Sequence, residues 1–370
     1  MKKDKEVITD LAAQAGIVVN GAEPWDIQVH NEDFYPRVMR HLHLGLGESY
    51  MDGWWDCARL DEFFFRVLRV DLDDALMNWT MAAHYLKARI LNHQTKSRSL
   101  KVAHEHYDIG NDLYKSMLGK SMAYTCGYWK DAKTLDEAQE AKFDLICKKV
   151  GLKPGMSILD LGCGFGSFLK YAAEHYKITG VGVNISKEQI KFARESCKGL
   201  PVEFQLTDYR EAKGKFDRVI SIGLTEHIGY KNYRTFLTVA RDRLNDDGLF
   251  LLHTIGSNVS NTMTDPWTTK YIFPNSNLPS VKYLGDAMEH LFVLEDWHNF
   301  GADYDKTLMA WHDNFVASWP SIKKDYSERF YRMWTYYLLS CAGSFRARKI
   351  QLWQLVLSKK GVLGGYHSIR

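Results

Sequence analysis

The spacing of apolar positions changes character near residue 153. Before it the pattern is mostly helical. Residues 61–70 place Phe63, Phe64, Phe65, Val67 and Leu68 on one broad apolar face, and 74–91 predicts a second helix with many apolar positions. Asn20-Gly21 and Gly45-Leu46-Gly47 read as turns. Residues 92–101 are polar and basic and read as a connection. After Lys153, short apolar strands alternate with amphipathic helices. Strands are expected at 157–161, 178–183, 202–206, 216–222 and 249–254, with helices at 168–175, 187–197 and 230–244. This alternation predicts an α/β fold, a doubly wound and mostly parallel sheet with helices on both faces. The expected division is a small helical N-terminal domain over 1–92, a linker over 93–101 and a larger α/β domain over 102–370.

Composition changes this picture little. The balance of 45% hydrophobic and 25% charged residues is that of a globular protein. Aromatic residues reach 13%, a hint of a ring-lined site or surface. The net charge of +3 gives no basis for a nucleic-acid partner. Six scattered cysteines form no CxxC pair and read as reduced thiols, which points to a cytoplasmic protein. His104-Glu105-His106 lacks the H-E-x-x-H spacing, so no metal is expected. The opening residues have no signal-peptide pattern and no run suits a transmembrane helix, so at most a peripheral membrane contact is expected. Lys87, Arg89, Lys96, Arg98 and Lys101 would suit anionic headgroups, or are simply solvated.

The chemistry enters at Ile158-Leu159-Asp160-Leu161-Gly162-Cys163-Gly164-Phe165-Gly166, an apolar strand running into a glycine turn and then a helix. A dinucleotide fingerprint wants G-x-G-x-x-G with an acid about 20 residues on. Here the spacing is G-x-G-x-G, and the second strand ends in Gly182-Val183-Asn184. The D-x-G-x-G-x-G form resembles the first motif of class I S-adenosylmethionine methyltransferases. Asn184, Ser186 and Gln189 then fall where a ribose would lie, Asn184 standing where such enzymes often carry an acid. Asp208, followed by Tyr209, ends the third strand, where it either accepts from an adenine amino group or serves as a turn residue.

Further segments narrow the class. They are His106-Tyr107-Asp108-Ile109-Gly110-Asn111, Tyr124-Thr125-Cys126-Gly127-Tyr128-Trp129, Glu226-His227-Ile228-Gly229, Leu252-His253-Thr254-Ile255-Gly256, Phe300-Gly301-Ala302-Asp303-Tyr304 and Cys341-Ala342-Gly343-Ser344-Phe345-Arg346. With Gly45–Trp55 in the N-terminal region, they resemble the cyclopropane fatty acid synthases, the bacterial enzymes related to the mycolic acid cyclopropane synthases, over nearly the whole chain. The resemblance implies a class I methyltransferase fold, S-adenosylmethionine as cofactor, unsaturated phospholipid acyl chains as substrate, a homodimer, and transient contact with the inner face of an anionic membrane. Implied cofactor contacts are Tyr124, Thr125, Asp160, Gly162, Cys163, Gly164 and Gly166, with Asn184, Ser186, Gln189, Asp208 and Tyr209.

An alkene that attacks a sulfonium methyl becomes a carbocation, and ring closure requires a base at the new methyl. The site must align the reactants, stabilise positive charge with aromatic faces and exclude water. The resemblance implies bicarbonate as the base, held by Cys126, Glu226, His253 and Tyr304 with the backbone of Ile255. Cys341 is a further candidate, read as structural because no covalent enzyme intermediate is needed. Phe300, Tyr304, Trp267, Tyr271 and Trp297 are candidate rings for the acyl pocket or ordinary core residues. Trp54-Trp55 and the Phe cluster suit a membrane or subunit contact, or the small domain's core. Two other outcomes share this fold: a lipid C-methyltransferase leaving a branched or methylene product, and a non-catalytic S-adenosylmethionine-binding protein.

Overall fold

The computed structural model describes residues 2–70, 111–261 and 264–370. The helix expected at 74–91, the connection at 92–101 with its basic residues, His104-Glu105-His106 and the segment 106–110 lie outside the described residues. The chain forms two compact units, and they are not consecutive stretches. Among the described residues, one unit gathers 2–70 with 264–274 and 304–350; the other holds 111–261, 275–303 and 351–370. The sequence reading places all of 102–370 in one domain. Instead the helices Pro266–Tyr271 and Glu328–Arg346 pack with the N-terminal ones.

In the helical unit, Leu60–Arg69 opens on Asp61 and Glu62 and ends on Arg66 and Arg69, charges that suit its dipole. It buries Phe63 and Phe64. Trp55 is fully buried, with ring centroids 5.2 Å from Tyr50 and 5.4 Å from Phe63, and Phe64 meets Tyr336 at 5.1 Å. Trp55 and this pair of phenylalanines are therefore core. Asp61 is buried because Arg59 at 2.9 Å and Arg346 at 2.8 Å pair with it. Those two bonds hold its carboxyl down to about 2 against burial, which pushes it up.

Gly45-Leu46-Gly47 is not a turn. It lies inside helix Phe34–Met51, which kinks at Leu42. The kink brings the Arg37 carbonyl to 2.5 Å from where a Gly45 Cβ would sit. A Gly47 Cβ would lie 2.5 Å from Nε1 of Trp267. These glycines serve close approach, which a linear reading confuses with chain reversal.

The second unit is built on a seven-stranded sheet. Its strands are β1 (Ser157–Leu161), β2 (Thr179–Asn184), β3 (Val202–Leu206), β4 (Phe216–Ile222), β5 (Leu244–Ser257), β6 (Val293–Asn299) and β7 (Ile350–Ser358). The order is β3-β2-β1-β4-β5-β7-β6. β3, β2, β1, β4 and β5 run parallel, and β6 pairs antiparallel with β7. The expected strands are all present, β5 being much longer than expected. β6 and β7 are additions: β6 carries too many polar residues to read as a strand, and β7 carries Gln351 and Gln354 into the core. Helices Ser167–Tyr176, Lys187–Ser196 and Tyr233–Arg243 connect the parallel strands, with a short 3-10 turn at Tyr230–Asn232 where one continuous helix is expected. Leu135–Lys149 starts with a capping box in which Thr134 and Glu137 satisfy each other's backbone N–H. Among the described residues no helix is long and apolar enough to cross a membrane.

Candidate active site

The site lies at the carboxyl ends of the parallel strands, where open α/β sheets bind ligands. β1 runs into a loop in which Gly162, Gly164 and Gly166 all have positive φ, at 82°, 54° and 80°. The N–H groups of Gly162 and Cys163 both donate to the Val183 carbonyl, at 2.9 and 3.1 Å, pinning the loop to the end of β2. A Cβ on Gly162 or Gly166 would meet Leu224 or Phe204. A Cβ on Gly164 would meet nothing within 4 Å, so the loop's open side lies there. Asp160, just before the turn, is buried with Oδ1 unpartnered. Burial pushes its carboxyl up to about 7, opposed by the positive charge of Lys142.

At the end of β2, Asn184 Nδ2 donates to Gln189 Oε1 at 2.7 Å, and Asn184 Oδ1 accepts from the Ile185 N–H at 2.8 Å. Ser186 caps helix Lys187–Ser196 through the Gln189 N–H. Past β3, Asp208 Oδ1 accepts from the Arg210 N–H at 2.9 Å and Oδ2 pairs with Arg210 Nη1 at 2.9 Å. The turn role for Asp208 is thus present. Tyr209 buries its ring against Phe236 at 5.5 Å, with its hydroxyl unpartnered.

Tyr124-Thr125-Cys126 reaches the end of β4, where a Cβ on Gly223 would lie 2.9 Å from Thr125 Cγ2. Cys126 is fully buried, its Sγ 3.1 Å from the Gly127 carbonyl. Glu226 sits on the single helical turn Thr225–Ile228 after β4. Its Oε1 accepts from the Ile255 N–H at 2.6 Å, and its buried Oε2 has no partner. Burial pushes this carboxyl up to about 7. Within the Ile255 backbone, expected to contact bicarbonate, the N–H is thus engaged by Glu226.

His253 lies beside Ile222 of β4, and its carbonyl accepts from the Gly223 N–H at 2.9 Å. Gln354 Nε2 contacts its Nδ1 at 3.2 Å; when Gln354 donates there, the neutral ring carries its proton on Nε2. That Nε2 is buried and unpartnered. Burial holds the ring well below the usual histidine range, helped by the cations of Lys142 and Lys149. The Phe300 ring lies 5.9 Å away, followed by Tyr128 at 5.3 Å from Phe300.

The expected residues divide between the two units. Cys126, Glu226, His253, Ile255 and Phe300 are in the sheet unit, whereas Tyr304 and Cys341 belong to the helical unit. Tyr304 packs its ring 4.5 Å from Phe345. Burial pushes the Cys341 thiol up to about 12, which suits a structural residue and not a nucleophile. Trp267 and Tyr271 also belong to the helical unit: Trp267 packs 4.5 Å from Tyr336, and the Tyr271 hydroxyl donates to Glu48 at 2.8 Å. Trp297 packs on Trp353 at 5.0 Å. Residues absent from the sequence reading also enter: Gln139 and Lys142 bond to Thr125, and Gln354 to His253. Buried Gln and Lys leave no signal in a hydropathy pattern.

The sheet order, the glycine loop and the polar groups beyond β4 and β5 define a class I S-adenosylmethionine-dependent methyltransferase. The open space at Gly164 and the adjacent buried, unpartnered atoms fit that cofactor. Residues 93–355 match the model of the mycolic acid cyclopropane synthetase family, and the chain belongs to that family. It is 52% identical to the cyclopropane-fatty-acyl-phospholipid synthase of Escherichia coli, over 98% of this chain and 95% of that one. It is 31% identical to sphingolipid C9-methyltransferase A of Emericella nidulans, over 72% of this chain and 54% of that protein. Among solved structures, mycolic acid cyclopropane synthase CmaA1 complexed with SAH and CTAB superposes with a TM-score of 0.66 at 30% identity, covering 70% of this chain and 98% of that one. The cyclopropane synthase MmaA2 from Mycobacterium tuberculosis gives 0.66 at 28%, with the same coverage.

Proposed function

We propose that this chain transfers a methylene from S-adenosylmethionine to the cis double bond of unsaturated acyl chains in membrane phospholipids, closing a cyclopropane ring. The observation that carries the reading is the near end-to-end identity with the Escherichia coli synthase. Bound S-adenosylmethionine supplies an electrophilic methyl on a sulfonium. The chain's part is to hold that donor on the open side of the loop at Gly164, to keep water from the positive charge that develops on the acyl chain, and to place polar groups at the new methyl. The Phe300 face offers quadrupole stabilisation to that charge.

Bicarbonate, held by Cys126, Glu226 and His253, would supply the base for the proton lost from the added methyl. The fit rests on two buried atoms. Glu226 Oε2 has no partner and offers an acceptor for an O–H; neutral His253 offers a donor at Nε2. Bicarbonate carries both complements, one O–H and acceptor oxygens. Peripheral contact with an anionic membrane follows from the substrate's place in a bilayer. The homodimer rests on the family resemblance, and sedimentation of the purified protein tests it.

The direct test is a product assay with monounsaturated phospholipid vesicles and methyl-labelled S-adenosylmethionine, with and without bicarbonate. The expected product is heavier by one methylene, resists hydrogenation that saturates alkenes, and depends on bicarbonate. A methylated chain that still takes up hydrogen would instead favour the C-methyltransferase reading, which similarity to the sphingolipid enzyme supports. Absence of any lipid product would overturn both.

A further inference from the structure

Helix Leu135–Lys149 presents an unusual face. Gln139 and Lys142 are fully buried and lie one helical turn apart, on the same side. Gln139 Nε2 donates to the Thr125 carbonyl at 2.8 Å. Lys142 Nζ donates to Thr125 Oγ1 at 2.8 Å. One residue is therefore held at two points, through its peptide and through its side chain. On the other side the Thr125 methyl faces Gly223, where any added Cβ would collide with it. The peptide leading into Cys126 has little freedom left.

A lysine is an expensive choice for this task. Taking its ammonium out of water costs several kcal/mol, and an apolar side chain of similar volume often packs as well or better. Burial lowers Lys142 to about 7, opposed by the negative charges of Cys126 and Asp160. Stability alone does not account for a buried lysine that donates to a neutral threonine hydroxyl. Placement of that threonine does. We propose that Gln139 and Lys142 are positioning residues of the methyl-transfer site, clamping Thr125 so that Tyr124, Thr125 and Cys126 are set against the cofactor and the reacting methyl. The inference rests on the assignment of Thr125 and Cys126 to that site.

The test compares Lys142→Met, Gln139→Met, Thr125→Val and the Lys142→Met/Thr125→Val pair in the full chain. Calorimetry with S-adenosylhomocysteine gives Kd, the vesicle assay gives kcat, and urea unfolding gives stability. A lost hydrogen bond to a charged donor corresponds to roughly a tenfold effect. Lys142→Met is expected to weaken Kd or lower kcat by about tenfold while its unfolding midpoint holds or rises. Adding Thr125→Val to it should then cost much less than in the wild type, because the bond is already gone. Lys142→Arg, which keeps charge and donors, should recover part of the loss. If Lys142→Met does not fold, Thr125→Val removes the same hydrogen bond from the other side, and Gln139→Met removes the second point of the clamp. Single variants within twofold of wild type in both Kd and kcat would overturn the proposal. So would multiplicative effects in the double variant. A wild-type protein that binds no S-adenosylhomocysteine would instead defeat the site assignment on which the clamp depends.

Discussion

The backbone N–H of Ile255 donates to Oε1 of Glu226 at 2.6 Å, while Oε2 of the same carboxyl is buried with no partner. One oxygen is held by the main chain, so the other has a fixed position. A carboxyl arranged in this way offers one acceptor at a set point inside a region sealed from water.

Replacement of that acceptor should stop turnover without emptying the cofactor site. In Glu226→Gln the amide oxygen can still accept from Ile255, but a donor then occupies the place of Oε2. Turnover is expected to fall by roughly a hundredfold or more, with S-adenosylhomocysteine Kd within about threefold of wild type. Calorimetry beside the vesicle assay checks both. Loss of cofactor affinity would mean that Glu226 serves the cofactor.

The same residue gives a pH signature in stability. Burial raises its folded-state pKa from 4.5 to about 7, so between those values the folded chain binds more protons than the unfolded one. Stability from this group is full below pH 4.5 and declines as pH rises to 7, a loss on the order of 3 kcal/mol at most. Glu226→Gln removes this titrating group. Urea unfolding from pH 5 to 8 should show wild type losing ground to the variant as pH increases. Parallel curves would place the carboxyl in contact with water.

The glycine loop separates backbone strain from ligand space. Gly164 has φ 54° with open space at its Cβ position, and Gly155 has φ 85°, also with open space. Either position strains a larger residue by about 1–2 kcal/mol. Gly164→Val should therefore abolish S-adenosylhomocysteine binding, whereas Gly155→Val should share its modest instability and bind normally. Equal binding by both variants would remove the loop from the cofactor site.

In the helical unit, Gly47 seats Trp267. Gly47→Ala places a methyl 2.5 Å from Nε1 of the buried indole and should lower the unfolding free energy by roughly 1–3 kcal/mol, read by chemical denaturation. An unchanged midpoint would show that the indole shifts freely.

The sequence alone determined the features that are local. Alternating strands and helices after residue 153 carry their periodicity in neighbouring residues, and Asp160 to Gly166 announces its turn because positive φ at three positions requires glycine. Cys126, Glu226 and His253 are proposed as a set because their segments resemble one family in order. Tertiary structure decided what depends on partners far apart in the chain. Gly45 and Gly47 read as a turn until the kinked helix brings the Arg37 carbonyl against the first and Trp267 needs the space at the second. Cys341 reads with the sheet domain until helix Glu328–Arg346 packs against Leu60–Arg69. Gln139, Lys142 and Gln354 carry no signal in the sequence, since hydropathy assigns polar side chains to water. Burial of such groups is tolerated only where a matching donor or acceptor closes the hydrogen bond, and Thr125 and His253 become those partners only when the chain has folded.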